Sequence, residues 1–239
     1  MTLRTSTGLL LGALIACEAL LGHPPAARGD TETVTPIGRI TPADEGRAVT
    51  VQGEVVSADS FSAGFKLAVN DGTGQLTALI WADDYDRIYN RFRLNVGAVV
   101  KVTGKVDVYA GALEIVPGSG RDVEVVRFAR RNQRKYELGA LTGNDHNAVV
   151  WVEGVVSDIT PAEGGAYMLI SDGTGAQKVK LYTVVASRIP NGSQLWVGQQ
   201  VSVVGRVKAR RRTGIEIVPA LPHDVYIAGA ADGQAAGSK

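Results

Sequence analysis

The chain has 239 residues, 45% apolar and 21% charged, an ordinary globular balance with room for two domains of about 100 residues each. A formal net charge of +1 excludes a whole-protein field that would draw a polyanion to every face, so any such attraction has to be local. One cysteine, Cys17, excludes a scaffold stapled by internal disulfides.

Met1 to Gly8 carries one charged side chain, Arg4, and residues 9–16 form an apolar stretch. The stretch is too short to span a bilayer and has the build of a signal peptide. It ends in Leu14-Ile15-Ala16-Cys17, and Glu18 interrupts the apolar run directly afterwards. This resembles the lipobox of bacterial lipoproteins, which implies cleavage before a lipidated Cys17 and an anchor on a membrane of the cell envelope. A plain secretory signal cut near Ala26-Ala27, giving a secreted or periplasmic protein, is the alternative. Residues 1–29 therefore read as signal peptide and start of a tether, and residues 30–35 as the rest of that tether. The whole of 22–35 is rich in Pro, Ala, Gly and Thr and is expected to be flexible.

A first domain is expected over 36–126. Val49, Val51 and Val55 alternate with polar Thr50, Gln52 and Glu54, the pattern of a half-buried strand, and the central Gly53 predicts a bend or bulge. Residues 65–70 and 76–81 read as two strands joined by Asp71-Gly72-Thr73-Gly74, a tight turn with residues suited to positive φ. Residues 82–92 are the helical candidate, with acids at the start and Arg91 and Arg93 near the end. Residues 99–106 and 112–116, the latter extending towards Val125, complete five strands.

A basic connector, residues 127–136, carries Arg127, Arg130, Arg131, Arg134 and Lys135 and no acid. It reads as a solvated linker or as a contact for anionic lipid headgroups. Beyond it, over 137–227, the chain repeats itself. Val51-Gln52-Gly53-Glu54-Val55 returns as Val152-Glu153-Gly154-Val155-Val156, and Asp71-Gly72-Thr73-Gly74 as Asp172-Gly173-Thr174-Gly175, both at an offset of 101. Glu114-Ile115-Val116-Pro117 returns as Glu216-Ile217-Val218-Pro219 at 102, so one residue is inserted between Gly205 and Glu216. A period this long is a whole domain, duplicated. Residues 228–239 are expected to be a disordered tail.

The expected fold is all-β, two consecutive five-stranded barrels, each with a short helix between strands 3 and 4. Together with the glycine-kinked first strand and the Val-Gly-x-x-Val-x-Val-x-Gly-x-Val pattern of Val96 to Val106, this resembles the OB-fold. More closely, residues 37–126 and 138–227 are similar to OB-fold domains of the tRNA-anticodon-binding type, also found in bacterial single-strand-binding modules and exported proteins. The resemblance implies a ligand face on strands 2 and 3, bordered by the loops between strands 1–2 and 4–5. On that face the second copy places Tyr167, Lys178, Lys180 and Tyr182 outward, with Trp151 of strand 1 sharing their parity, while Met168, Ile170, Val179 and Leu181 point inward. Rings for bases interleaved with cations for phosphates suit single-stranded DNA or RNA. Covering of a barrel mouth, packing on a neighbouring domain, or a solvated strand face are the structural alternatives. The insertion falls in a loop bearing Lys208, Arg210, Arg211 and Arg212, a candidate anion contact. The first copy offers Lys66, Thr77, Leu79 and Trp81, with no cation in its equivalent loop Asp107 to Gly111, and reads as the weaker binder.

No catalytic constellation emerges, so no enzyme, no cofactor and no small-molecule substrate is expected. His23, His146 and His223 are scattered, and zinc spacing cannot be built without further cysteines. Asp83, Asp84 and Asp86 form one acidic cluster, read as helix capping, with Ca²⁺ as the other chemistry open to it. The functional expectation is a non-enzymatic, exported binder of single-stranded nucleic acid acting mainly through the second domain. The alternative is an envelope-anchored adaptor for a protein, peptide or oligosaccharide.

Overall fold

The computed structural model describes residues 33–128, 133–210 and 214–229, and all of these fall in one compact unit. The expected signal peptide with Cys17, Arg130 and Arg131 of the connector, Arg211 and Arg212, and the tail beyond Gly229 lie outside the described residues.

The first domain comprises β1 (Ala48–Phe61), β2 (Gly64–Asn70), β3 (Gln75–Trp81), a four-residue helix α1 (Ala82–Tyr85), β4 (Val99–Tyr109), β5 (Ala112–Pro117) and β6 (Val123–Arg127). Five strands close a ring in the order β1-β2-β3-β5-β4 and back to β1, with β3 and β5 parallel. The expected fifth strand breaks after Pro117. A one-turn 3-10 helix at Gly120–Asp122 redirects the chain, and β6 returns as a sixth strand on the other edge of β4. The expected helix over 82–92 is likewise cut to one turn, followed by Asn90 in the left-handed region and a 3-10 turn at Arg91–Arg93.

The second domain repeats the plan with β7 (Val149–Ala162), β8 (Gly165–Ser171), β9 (Ala176–Tyr182), α2 (Thr183–Ala186), β10 (Gln200–Arg210), β11 (Gly214–Val218) and β12 (Val225–Ile227). The inserted residue falls within the β10–β11 hairpin. Tyr109 pairs with Ala112 across two residues, whereas Arg210 pairs with Gly214 across three.

One long strand serves two sides of each barrel, and glycine makes this feasible. β1 pairs with β4 up to Glu54 and with β2 from Glu54 onward. At this handover a Cβ on Gly53 would lie 2.6 Å from the Asn70 carbonyl oxygen, and one on Gly154 would lie 2.7 Å from that of Ser171. A bulge between Val55 and Ser57 then reverses which residues face the core, and β7 repeats it between Val156 and Asp158.

The repeated turn aspartates are structural clamps. Asp172 Oδ1 accepts from Thr174 N (2.9 Å), Thr174 Oγ1 (2.6 Å) and Gly175 N (3.2 Å), and Oδ2 accepts from Leu138 N at 2.7 Å. The turn is thereby tied to the lead-in whose Leu138 is fully buried. Asp71 does the same for Ile37. The Thr174 hydroxyl, then the Leu138, Thr174 and Gly175 amides, outweigh burial and hold the Asp172 pKa down to about 2, against 3.8 ordinarily. A depressed folded-state pKa stabilises the fold above the unfolded-state value, and that stability is lost as pH falls through the folded-state value. Urea midpoints should therefore drop between pH 5 and pH 2. Asp172→Asn should cost about 1 kcal/mol at pH 7, solvent screening at this exposed turn reducing the effect, and flatten that drop; an unchanged pH profile would exclude the clamp.

The lead-ins are less free than the sequence suggests. Val34 bridges Thr50, and Lys135 bridges Trp151, each alongside the first strand of its barrel. The tether's last residues and the connector's last residues are thus docked. Lys135 Nζ lies 2.5 Å from Glu153 Oε2 and 5.7 Å from the Trp151 ring centre. The tail's first residue is also engaged: Ala228 N donates to Gln200 O.

The barrels share a seam. Val184, Val185 and Leu221 of the second are buried in the core cluster of the first. Fully buried Tyr85 packs its ring 4.3 Å from that of Phe65, and its hydroxyl lies 3.1 Å from His223 Nδ1. Burial, then the Asp224 charge, push the Tyr85 phenol above its ordinary range, so the hydroxyl stays protonated and donates. His223 Nε2 then carries the proton that it donates to Asn95 Oδ1 at 3.0 Å. The acidic cluster belongs here too. Arg188 Nε lies 2.9 Å from Asp86 Oδ2 and its Nη2 3.5 Å from Asp83 Oδ1, so Asp83 in the first turn of α1 and Asp86 just past its end tie the barrels together. Asp84 faces Arg87 at 3.7 Å. Among the described residues no cluster of three or more His, Cys, Asp or Glu is placed to hold a metal ion.

Candidate functional site

Outward side chains of β2 and β3, flanked by the β1–β2 and β4–β5 hairpins, form the face nominated in each copy. In the first barrel it is more aromatic than the sequence suggests. Lys66 Nζ sits 2.6 Å from Glu114 Oε1, between the rings of Phe61 (5.9 Å) and Tyr109 (5.3 Å). Trp81 meets Phe61 edge-on at 5.9 Å. Trp81 and Tyr109 are 45% and 65% exposed, leaving ring surface available to a ligand. Thr77 pairs with Glu114 across the parallel β3–β5 contact, and Leu79 has outward parity but is buried.

Phe61 and Tyr109 escaped the sequence-based nomination for separate reasons. Counting by twos from Val51 puts Phe61 inside, and only the bulge brings it out beside Lys66. Tyr109 lies on outward parity, but β4 runs past the expected Val106, turning an apparent loop residue into a strand residue. The Ala110-Gly111 turn, both residues at positive φ, closes the hairpin beside it.

In the second barrel Tyr167, Lys178, Lys180 and Tyr182 do come together. Lys180 Nζ lies 4.6 Å from the Tyr167 ring and 5.6 Å from that of Tyr182, and Lys178 Nζ lies 5.7 Å from Tyr167. The Tyr167 hydroxyl donates to buried Glu216 at 3.2 Å. Lys180 is buried and donates to the Glu163 carbonyl oxygen (2.9 Å), so it is an internally held cation rather than part of a solvated strand face. Tyr182 is half-buried and packs against the first barrel's core, the neighbour-domain role. Lys208 stands opposite Glu216 in register, and its Nζ donates to Asn147 Oδ1 at 3.3 Å.

Trp151 does not join this group. It pairs with Val204 on the β10 side of β7, nine residues before Thr160, the partner of Tyr167. Its Nε1 donates to Ser202 Oγ at 2.7 Å. Arg210 closes the β10–β11 pairing, and Arg211 and Arg212 lie outside the described residues. His146 Nδ1 accepts from Ala209 N (3.0 Å), and buried His223 belongs to the seam, so neither histidine is posed for chemistry.

The two faces differ in charge at matching positions. Asp59, Lys66, Thr77, Leu79, Asp107 and Glu114 of the first correspond to Thr160, Tyr167, Lys178, Lys180, Lys208 and Glu216 of the second. One face carries a lysine against three carboxylates, and the other three lysines against one. The scaffold is duplicated while its electrostatics are inverted.

Closed five-stranded rings of this order, with a bulged first strand and a helix between strands 3 and 4, define a tandem OB-fold protein. Within it, residues 49–123 of the first barrel match the family described as "OB-fold nucleic acid binding domain". No curated protein matches the chain. Among solved structures it is similar to an OBody bound to hen egg-white lysozyme, at 25% identity over 39% of this chain and 92% of that one, TM-score 0.32. It is also similar to asparaginyl-tRNA synthetase from Pyrococcus horikoshii, at 18% identity over 41% of this chain and 23% of the synthetase, TM-score 0.35. The p204 HINb domain matches at 15% identity over 77% of this chain and 98% of its own, TM-score 0.35.

Proposed function

We propose that the protein is a non-enzymatic binder of single-stranded nucleic acid, using both OB faces in different ways. The observation that carries this reading is the pairing of accessible rings on one barrel with a lysine-rich face on the other. Trp81 and Tyr109 offer surfaces on which any base can stack, and Lys178, with Lys208 on the other side of Glu216, supplies charge for phosphates. The family match of the first barrel supports the same ligand class. Arg210 at the end of β10, with Arg211 and Arg212, which the sequence puts between β10 and β11, would add charge for phosphates. The test is a titration with fluorescent oligothymidylate at 50 and 200 mM salt. Five phosphate contacts predict a loss of roughly a hundredfold over that range, and alanine at the three arginines should reduce it to roughly sevenfold. Absence of binding at 50 mM salt would overturn the reading.

A second reading, an adaptor for a protein, peptide or oligosaccharide, is favoured by one feature. Asp59, Asp107 and Glu114 make the first face a poor host for a polyanion by itself. Under either reading we place the protein outside the cytoplasm, anchored through Cys17. The mass of the purified N-terminus checks this, since an unlipidated start near Arg28 would refute the anchor.

A further inference from the structure

The two faces meet at a groove of about 110 Å³ in the seam, lined by Asp59 and Ser60 of β1, Tyr182 of β9, Arg206 and Lys208 of β10, and Pro219. This is room for about three waters or one phosphate group. The Ser60 hydroxyl is buried and has no hydrogen-bond partner, an arrangement that native proteins rarely keep without a reason. Arg206 is one-quarter exposed at this point, its Nη1 donating to Asn147 O and its Nε 3.8 Å from Asp59. The groove has no duplicate: Ser60 matches Pro161 in the other copy, Arg206 matches Lys105, and Lys208 matches Asp107. Its position is also particular. Asp59 stands in register with Lys66 of the first face and Phe61 follows Ser60, while the Tyr182 ring neighbours Lys180 of the second face.

We propose that this groove is a phosphate subsite joining the faces, so that one nucleic-acid strand runs without a break from Tyr167 and Lys178, past Arg206 and Ser60, to Phe61 and Trp81. This rests on the nucleic-acid reading and adds its path. The guanidinium provides a planar fork for phosphate oxygens, Ser60 provides a donor that nothing in the protein uses, and Lys208 outweighs Asp59 with Arg206. Because the seam fixes both barrels in one unit, bridging the groove links two weak sites into one strong one.

The experiment compares oligothymidylates of about 6 and about 16 nucleotides on the full chain, the shorter matched to one barrel. The longer should bind at least tenfold more tightly. Ser60→Ala, which removes only an unpartnered hydroxyl, and Arg206→Gln should each weaken the longer probe about tenfold and leave the shorter unchanged. Equal losses on both lengths, or none on either, would overturn the subsite while leaving nucleic-acid binding in place. Failure of both probes to bind the unaltered protein would overturn the underlying reading with it.

Discussion

Replacing Tyr85 with alanine is expected to cost about 3–5 kcal/mol of stability, the usual range for deleting a buried aromatic. Tyr85 is 1% exposed and lies against Phe65 in the first core, so its removal leaves a cavity in which packed strands have little room to relax. It also ends the hydroxyl contact to His223, and with it one of the polar links between barrels. Tyr85→Phe separates the two contributions. The ring and its packing stay, the hydroxyl donor goes, and the expected cost is about 1–2 kcal/mol. Urea unfolding followed by fluorescence reads both variants. A loss below 1 kcal/mol for Tyr85→Ala would show that the seam contributes little to the fold.

Trp81→Ala should leave the fold intact and lower oligonucleotide affinity by about 1–3 kcal/mol, fivefold to more than a hundredfold. The side chain is 45% exposed and its contact with Phe61 is edge-on, so little core packing is lost. Tyr182→Ala provides the contrast. That ring occupies the corresponding position in the second barrel but packs on the first barrel's core, so its loss should lower stability as well. Affinity within twofold of the unaltered protein for Trp81→Ala, with an unchanged far-ultraviolet circular dichroism spectrum, would exclude the first face as a stacking platform.

The comparison of these two residues shows how far the linear pattern reaches. Parity along β3 and β9 places both side chains outward, and both are outward. Whether an outward ring meets solvent or another barrel depends on contacts between residues more than thirty positions apart, which no local pattern encodes. The same holds for Asp83 and Asp86. Their place at the start of the expected 82–92 helix fits capping, but α1 ends at Tyr85 and leaves Asp86 just past its end, and Arg188 engages both from the second barrel, some hundred residues away. For Lys180, alternation marks a solvated face, but the Glu163 carbonyl and two tyrosine rings enclose the ammonium.

The amino-acid sequence by itself determined the duplication, the barrel strands, the Asp-Gly-Thr-Gly turns and the handover at Gly53 and Gly154. These follow from side-chain alternation, positive-φ turn chemistry and a glycine set within an otherwise regular strand pattern, all of which are local to a few residues of chain. The tertiary structure decided the rest: the reversal of parity at the bulges, which brings out Phe61, the inverted charge of the two faces, and the seam that buries Tyr85 and forms the Ser60–Arg206 groove. Those depend on a register shift of one residue and on which surfaces of the two barrels meet, and both are settled only when distant strands pack.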